Sequence, residues 1–171
     1  MSGIYIHIPF CSQACHYCDF HFSTALKNKD KVLEAMVKEI KLRKKEFKLN
    51  FSSLYFGGGT PSVLGKKELN QIIDAIKEEI KFEKLKEITI EINPEDISIK
   101  KLEQYKQLGF NRLSIGVQSM NDKFLKWMNR AHSKSQTIKA IKQCKSIGFN
   151  NLSLDFIYGF PSHFKRDYKA E

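Results

Sequence analysis

Leu108-Gly109-Phe110-Asn111-Arg112-Leu113-Ser114 returns 39 residues later as Ile147-Gly148-Phe149-Asn150-Asn151-Leu152-Ser153. Each copy reads as the end of a helix, a glycine where a helix can stop in the left-handed conformation, a tight turn, and the start of a strand. Successive βα units of one parallel sheet produce that repetition. Working outward, short apolar strands fall at 3–8, 53–56, 87–92, 112–117 and 151–157. Helical spacing of apolar residues marks 29–48 (Leu33, Met36, Val37, Ile40, Phe47) and 66–81 (Leu69, Ile72, Ile73, Ile76, Ile80). Further helices fit 99–108, a short stretch at 122–129, and 135–147. Strand and helix alternate throughout, with no linker and no low-complexity segment. The expected fold is α/β, a right-handed series of βα units curling into a partial barrel.

The chain has 171 residues, 42% of them hydrophobic, enough for one packed core and too few for two comfortable domains. No window approaches the ~18 apolar residues of a membrane span. The N-terminal apolar run at 4–10 contains His7 and Pro9 and leads straight into cysteines, unlike a secretory leader. A cytoplasmic protein is expected. The formal charge is +10, and of 29 basic residues only Arg43, Arg112, Arg130 and Arg166 are arginine. Most lysines share the polar faces of helices with glutamates, which reads as solvated surface. A nucleic-acid reader would interleave arginine with aromatics on one element, and no such stripe is present, so no nucleic-acid partner is expected.

Three of the four cysteines lie within eight residues, in Cys11-Ser12-Gln13-Ala14-Cys15-His16-Tyr17-Cys18, directly after the first strand. In a cytosolic chain such a cluster points to metal rather than to disulfides. Three thiolates on one loop can hold three irons of a [4Fe–4S] cubane and leave the fourth iron open to a small chelating ligand. The alternative is zinc, held by the three cysteines and one of His7, His16 or His21. Structural zinc loops usually carry two C-x2-C pairs, and the second pair is missing here. Cys144 falls in phase with Ile141 and Ile147 on a helix and reads as a small core residue. The histidines have no acid–base partner visible in the sequence and receive no catalytic role.

The segment Tyr5-Ile6-His7-Ile8-Pro9-Phe10-Cys11, followed by C-x3-C-x-Y-C, resembles the radical S-adenosylmethionine (SAM) superfamily. Within it the chain is similar to the branch of the oxygen-independent coproporphyrinogen III oxidases and their heme-chaperone relatives, over about residue 3 to Pro161. The resemblance implies a (β/α)6-type barrel, here truncated after about five βα units. It also implies a cluster on Cys11, Cys15 and Cys18, and reductive cleavage of SAM to methionine and a 5′-deoxyadenosyl radical.

The strand ends carry the other candidate residues. Gly57-Gly58-Gly59-Thr60-Pro61 follows the second strand, where glycines let a ligand approach the backbone. A tight turn before a helix would use the same residues; the resemblance assigns Gly58, Gly59 and Thr60 to SAM. Strand alternation separates Ile88, Ile90 and Ile92 from Thr89, Glu91 and Asn93. A carboxylate on a barrel's inner face needs a partner, either a ligand or a lysine, and the family pattern favours the ligand for Glu91. Gln118, Arg130 and Asp155 match SAM-contacting positions of the family, and each could instead serve an internal hydrogen bond or ion pair. Tyr5 and Tyr17 flank the cluster loop; Tyr17 is placed to stack near adenine, and Tyr5 to shield the cluster or simply to pack.

The resemblance implies two possible roles: a heme chaperone, with heme as cargo for an unidentified acceptor, or an oxidase acting on coproporphyrinogen III. Either needs an electron donor, also unidentified. The oxidases carry a further cysteine two residues after the third, where this chain has Phe20, and a long extension before the cluster. Both features favour the chaperone, and coproporphyrinogen oxidase activity is not expected. Residues 1–161 are read as an incomplete core and 162–171 as a tail that matches nothing in the family. The chain is accordingly expected to be a fragment. Its last strand would have an open edge, with Leu152, Leu154 and Phe156 short of cover, a pattern that favours association.

Overall fold

The computed structural model describes residues 2–161, 166, 167 and 169. Five strands form one parallel sheet in the order β1 (Ser2–Ile8), β2 (Phe51–Gly58), β3 (Glu87–Ile92), β4 (Arg112–Gln118) and β5 (Asn151–Phe156). Between them run α1 (Lys29–Leu42), α2 (Lys66–Lys77), α3 (Ile99–Gln107), the short α4 (Asp122–Trp127) and α5 (Lys134–Ser146). Strand order equals chain order, as a barrel wall built unit by unit requires.

The repeated heptapeptide does what its residues suggest. Gly109 (φ 93) and Gly148 (φ 83) end α3 and α5 in the left-handed region. In the first copy Phe110 N–H reaches back to Tyr105 and Gly109 N–H to Lys106; in the second, Phe149 reaches Cys144 and Gly148 reaches Lys145. This is the paired-bond helix stop that a left-handed glycine permits. Phe110 and Phe149 then turn into the core, 3% and 1% exposed. Helix starts follow from side chains too: Ser98, Asn121 and Ser133 each accept a backbone N–H from the first turn of α3, α4 and α5.

Alternation along the strands sorts the two faces of the sheet. Ile6, Ile8, Leu54, Phe56, Ile88, Ile90, Ile92, Leu113 and Ile115 form one core with Leu33 and Ile40 of α1 and Leu69, Ile72, Ile73 and Ile76 of α2. The opposite face carries Tyr55, Glu91, Ser114 and Asp155, and it holds the site. On β5 the apolar face is half open, with Leu154 40% and Phe156 45% exposed.

The helix ends differ from the sequence reading. α1 stops at Leu42 rather than at 48, because the next positions in its apolar phase are Arg43 and Lys44. Phe47 rejoins the core from a short 3-10 turn and packs against Phe51. α2 stops at Lys77, and Ile80 is still drawn in through a bond from its N–H to Ile76. α4 ends at Trp127, before Asn129 takes a left-handed conformation (φ 58) that asparagine tolerates better than most residues. Most of the tail expected at 162–171 lies outside the described residues. Within it, Arg166 stacks over the Phe124 and Phe160 rings and donates to the carbonyls of Ile157 and Gln118.

Candidate functional site

One cleft of ≈ 510 Å³ opens at the C-terminal ends of the strands. It is lined by Cys11, Cys15, Tyr17 and Cys18 from the loop after β1, by Gly58, Gly59 and Thr60 after β2, and by Glu91, Gln118, Arg130 and Asp155. Eleven of the twelve residues singled out from the sequence therefore face one space. Tyr5 is the one set apart: it is 57% exposed and stacks on Tyr55 across the β1–β2 pair, with ring centroids 5.8 Å apart.

The cysteine loop is anchored at both ends. Cys11 N–H donates to Ser23 and Ser23 N–H to Pro9; Gln13 and Asn129 exchange side-chain bonds with each other's segments, and His16 N–H donates to Met128. Cys11 is 8% exposed, with the Thr60 hydroxyl 3.4 Å from its Sγ. Burial pushes its thiol up, the Thr60 bond lowers it, and Cys18 and Cys15 each raise it, so the three sulfurs share one electrostatic environment. Arg130 supplies the compensating charge: Nη1 lies 3.3 Å from Cys15 Sγ and 3.3 Å from the Tyr17 hydroxyl. Its second terminal nitrogen, Nη2, donates to Asn93 (2.6 Å) and to the Gly116 carbonyl (3.0 Å). Burial works against that charge, but Tyr17, Cys15 and Glu95 outweigh it, and the guanidinium is held above its usual range. Among the described residues no three of His, Cys, Asp or Glu converge tightly enough to hold a single metal ion. The His16 ring is bonded to the Trp127 carbonyl at 2.8 Å. Cys144 is on the buried face of α5, and burial pushes its thiol up to about 11.

The glycine loop is held inward. Gly59 N–H donates to Ile8, Thr60 N–H to Phe10, and Gly58 N–H to Glu91. With those N–H groups engaged, the loop meets a ligand through oxygen acceptors, which suits a cationic amine better than a phosphate. Glu91 also accepts from the Tyr55 hydroxyl at 2.7 Å. Burial pushes its carboxyl above the usual range; the Tyr55 and Gly58 bonds pull it back, and Asp155 pushes it further up. Asp155 accepts from Ser114 at 2.9 Å.

Tyr55, Asn93, Glu95, Gly116 and His132 are functional neighbours that the sequence reading left unassigned. Strand phase could have found Tyr55, two residues before Gly57 on the site face. His132 and Glu95 carry no local signal, because the pair forms only when the loops after β3 and α4 meet. Glu95 is held below the usual carboxylate range: burial opposes this, while the His132 bond, a backbone N–H and Arg130 prevail. A folded value below the unfolded ~4.3 adds stability at neutral pH that disappears as pH falls through the folded value. In urea melts, the chain should therefore lose stability below about pH 5 more steeply than Glu95→Gln does. Parallel curves would exclude the effect.

The radical SAM superfamily model matches residues 5–170, and the chain belongs to that superfamily. It is 37% identical over 164 residues to the heme chaperone HemW of Bacillus subtilis (strain 168), covering 94% of this chain and 43% of that protein. It is 34% identical over 162 residues to the oxygen-independent coproporphyrinogen III oxidase of Salmonella typhimurium, covering 93% and 35%. The solved coproporphyrinogen III oxidase (HemN) of Escherichia coli superposes with a TM-score of 0.84 at 33% identity, over 93% of this chain and 37% of that one. The chain thus spans about two fifths of the length of these relatives, and over that span its five-stranded parallel sheet matches the oxidase structure.

Proposed function

We propose that the chain binds a [4Fe–4S] cluster through Cys11, Cys15 and Cys18 and S-adenosylmethionine across the ends of β2 to β5, within a heme-handling protein of the chaperone type. The observation that carries this is the single cleft in which three thiols from one loop face Gly58–Thr60, Glu91, Gln118, Arg130 and Asp155. The donor set fits a cluster: three thiols from one loop, with the Arg130 guanidinium 3.3 Å from Cys15 Sγ. When bound, cluster and S-adenosylmethionine together supply one-electron chemistry, the reductive cleavage of a sulfonium. The protein's own part is to orient and to exclude water. Thr60 donates to Cys11, Glu91 offers a carboxylate to an ammonium, and Asp155 and Gln118 offer further polar groups to the rest of the ligand.

Two substitutions test the ligand half. Glu91→Ala should weaken S-adenosylmethionine binding by about a hundredfold, and Tyr55→Phe, which removes one donor to Glu91, by about tenfold. Binding to anaerobically reconstituted protein is measured by equilibrium dialysis and by the change in the reduced cluster's EPR spectrum. An unchanged spectrum on adding ligand to wild type would count against an open iron.

For the role, Phe20 supports the chaperone reading. It stands where the oxidase pattern has a further cysteine, and it lines the cleft 74% exposed. The native protein carrying these residues should bind heme stoichiometrically and form no protoporphyrinogen IX from coproporphyrinogen III under anaerobic conditions with S-adenosylmethionine and reductant. The oxidase reading keeps its place because identity to the two groups is similar, 37% and 34%. Robust turnover would reverse the ranking.

A further inference from the structure

His132 takes no part in the chemistry above, yet it is 4% exposed and sits two residues past Arg130. Its Nε2 lies 3.0 Å from the Val117 carbonyl and its Nδ1 3.0 Å from Glu95 Oε2. A carbonyl only accepts, so Nε2 carries a proton. Glu95 Oε2 is the partner of the other ring nitrogen, Nδ1. The buried ring is thus held on both sides, by the Val117 carbonyl and by the Glu95 carboxyl group.

The Val117 carbonyl is shared. Ser119 N–H donates to it at 2.8 Å, closing a three-residue turn around Gln118, whose φ is 64. A γ-turn of this positive-φ kind is rare and strained, and such strain survives only where the surroundings impose it. The pairing of β4 with β5 also slips here, between Ile115 and Gln118. The turn matters to the cleft because the Gln118 amide, Asn93 and Arg130 crowd the space left by Gly116. A Cβ at that glycine would stand 3.0, 3.2 and 3.5 Å from them.

We propose that His132 is a positioning residue: clamped between Glu95 and the Val117 carbonyl, it ties together the loops after β3, β4 and α4, holds Gln118 in its strained turn and aims Arg130 at Cys15 and Tyr17. Its effect on ligand affinity rests on the reading of the cleft as an S-adenosylmethionine site, whereas its hold on the two side chains does not.

The test separates the two bonds. The amide nitrogen of asparagine can replace Nδ1 and that of glutamine Nε2, so His132→Asn keeps the Glu95 contact and His132→Gln keeps the Val117 contact. The first readout is 15N NMR of the metal-free chain. Exchange of the Ser119 amide should rise about tenfold in His132→Asn, with a shift of the Arg130 Nε–H signal, while the Ile72 and Leu102 amides stay protected. His132→Gln should restore Ser119 protection. In reconstituted protein, His132→Asn should bind S-adenosylmethionine about tenfold more weakly at unchanged iron content. Unaltered Ser119 and Arg130 signals, or equal affinity, would each overturn the proposal; if His132→Asn fails to fold, an unprotected Ser119 amide in His132→Gln overturns it instead. If wild type binds no S-adenosylmethionine while the NMR results hold, the reading of the cleft fails and the positioning role stands.

Discussion

Alanine at Cys11, Cys15 or Cys18 should abolish iron–sulfur cluster assembly, and alanine at Cys144 should not. In an open-site cubane each thiolate holds a different iron, so losing one leaves two irons without protein ligands. Anaerobically reconstituted wild type should carry close to four irons and four sulfides per chain, with the visible charge-transfer absorbance of a cluster; each variant of the triad should fall to background. The loss should be specific rather than a collapse of the fold. The loop is held by bonds that do not involve sulfur: Cys11 N–H to Ser23, Cys18 N–H to Cys15, Gln13 to Asn129, and Asn129 to Ala14. Urea midpoints of the metal-free variants should therefore lie near that of metal-free wild type. Cys144 is fully buried, its thiol raised to about 11, and supplies no thiolate at neutral pH. Tight stoichiometric zinc with no iron uptake would reject the assignment.

The wall of the barrel was legible because its signals are local. Gly109 and Gly148 each stop a helix within two residues of a strand, and the 3.6- and 2-residue periods identify what lies on either side. Most of the site was legible for the same reason: a residue at the end of a strand, in phase with the polar face, must point toward the cleft. What the sequence hid is pairing between units. Glu91 was expected to meet a ligand, with a lysine as the alternative; the sequence did not show its protein partners, the Tyr55 hydroxyl and the Gly58 N–H. Strand alternation and the register of β1 on β2 place Tyr5 beside Tyr55 on the polar face of the sheet, although it does not line the cleft itself. His132 found its carboxylate 37 residues away, through a contact that no spacing rule predicts. The end of α1 was misjudged because Phe47 is apolar and nearly in phase; a helix continuing to it would have needed Arg43 and Lys44 on its buried side.

Gly59→Val should disable the cleft by steric clash alone. Gly59 is not conformationally special, since no left-handed φ is required there; its constraint is space. An added Cβ would stand 2.7 Å from the Phe10 carbonyl oxygen and 3.0 Å from Cys11 Sγ. Both neighbours are fixed, because Phe10 O accepts the Thr60 N–H at 2.7 Å and Cys11 N–H is bonded to Ser23. Real Cβ atoms do not approach backbone so closely, so either the glycine loop or the cysteine loop must move. Either movement separates Thr60 from Cys11 and withdraws the loop from Glu91, whose bond to Gly58 N–H spans 3.2 Å. Cluster loading and S-adenosylmethionine binding should therefore fail together, the latter by more than about a hundredfold, equivalent to about 2.7 kcal/mol. Gly65→Ala is the control: a Cβ there meets only Glu68 Oε2, at an ordinary 3.6 Å, and both iron content and affinity should stay at wild-type values. If Gly59→Val loaded iron fully and bound ligand normally, the two loops would not share a wall, and the cleft as drawn would not be the binding site.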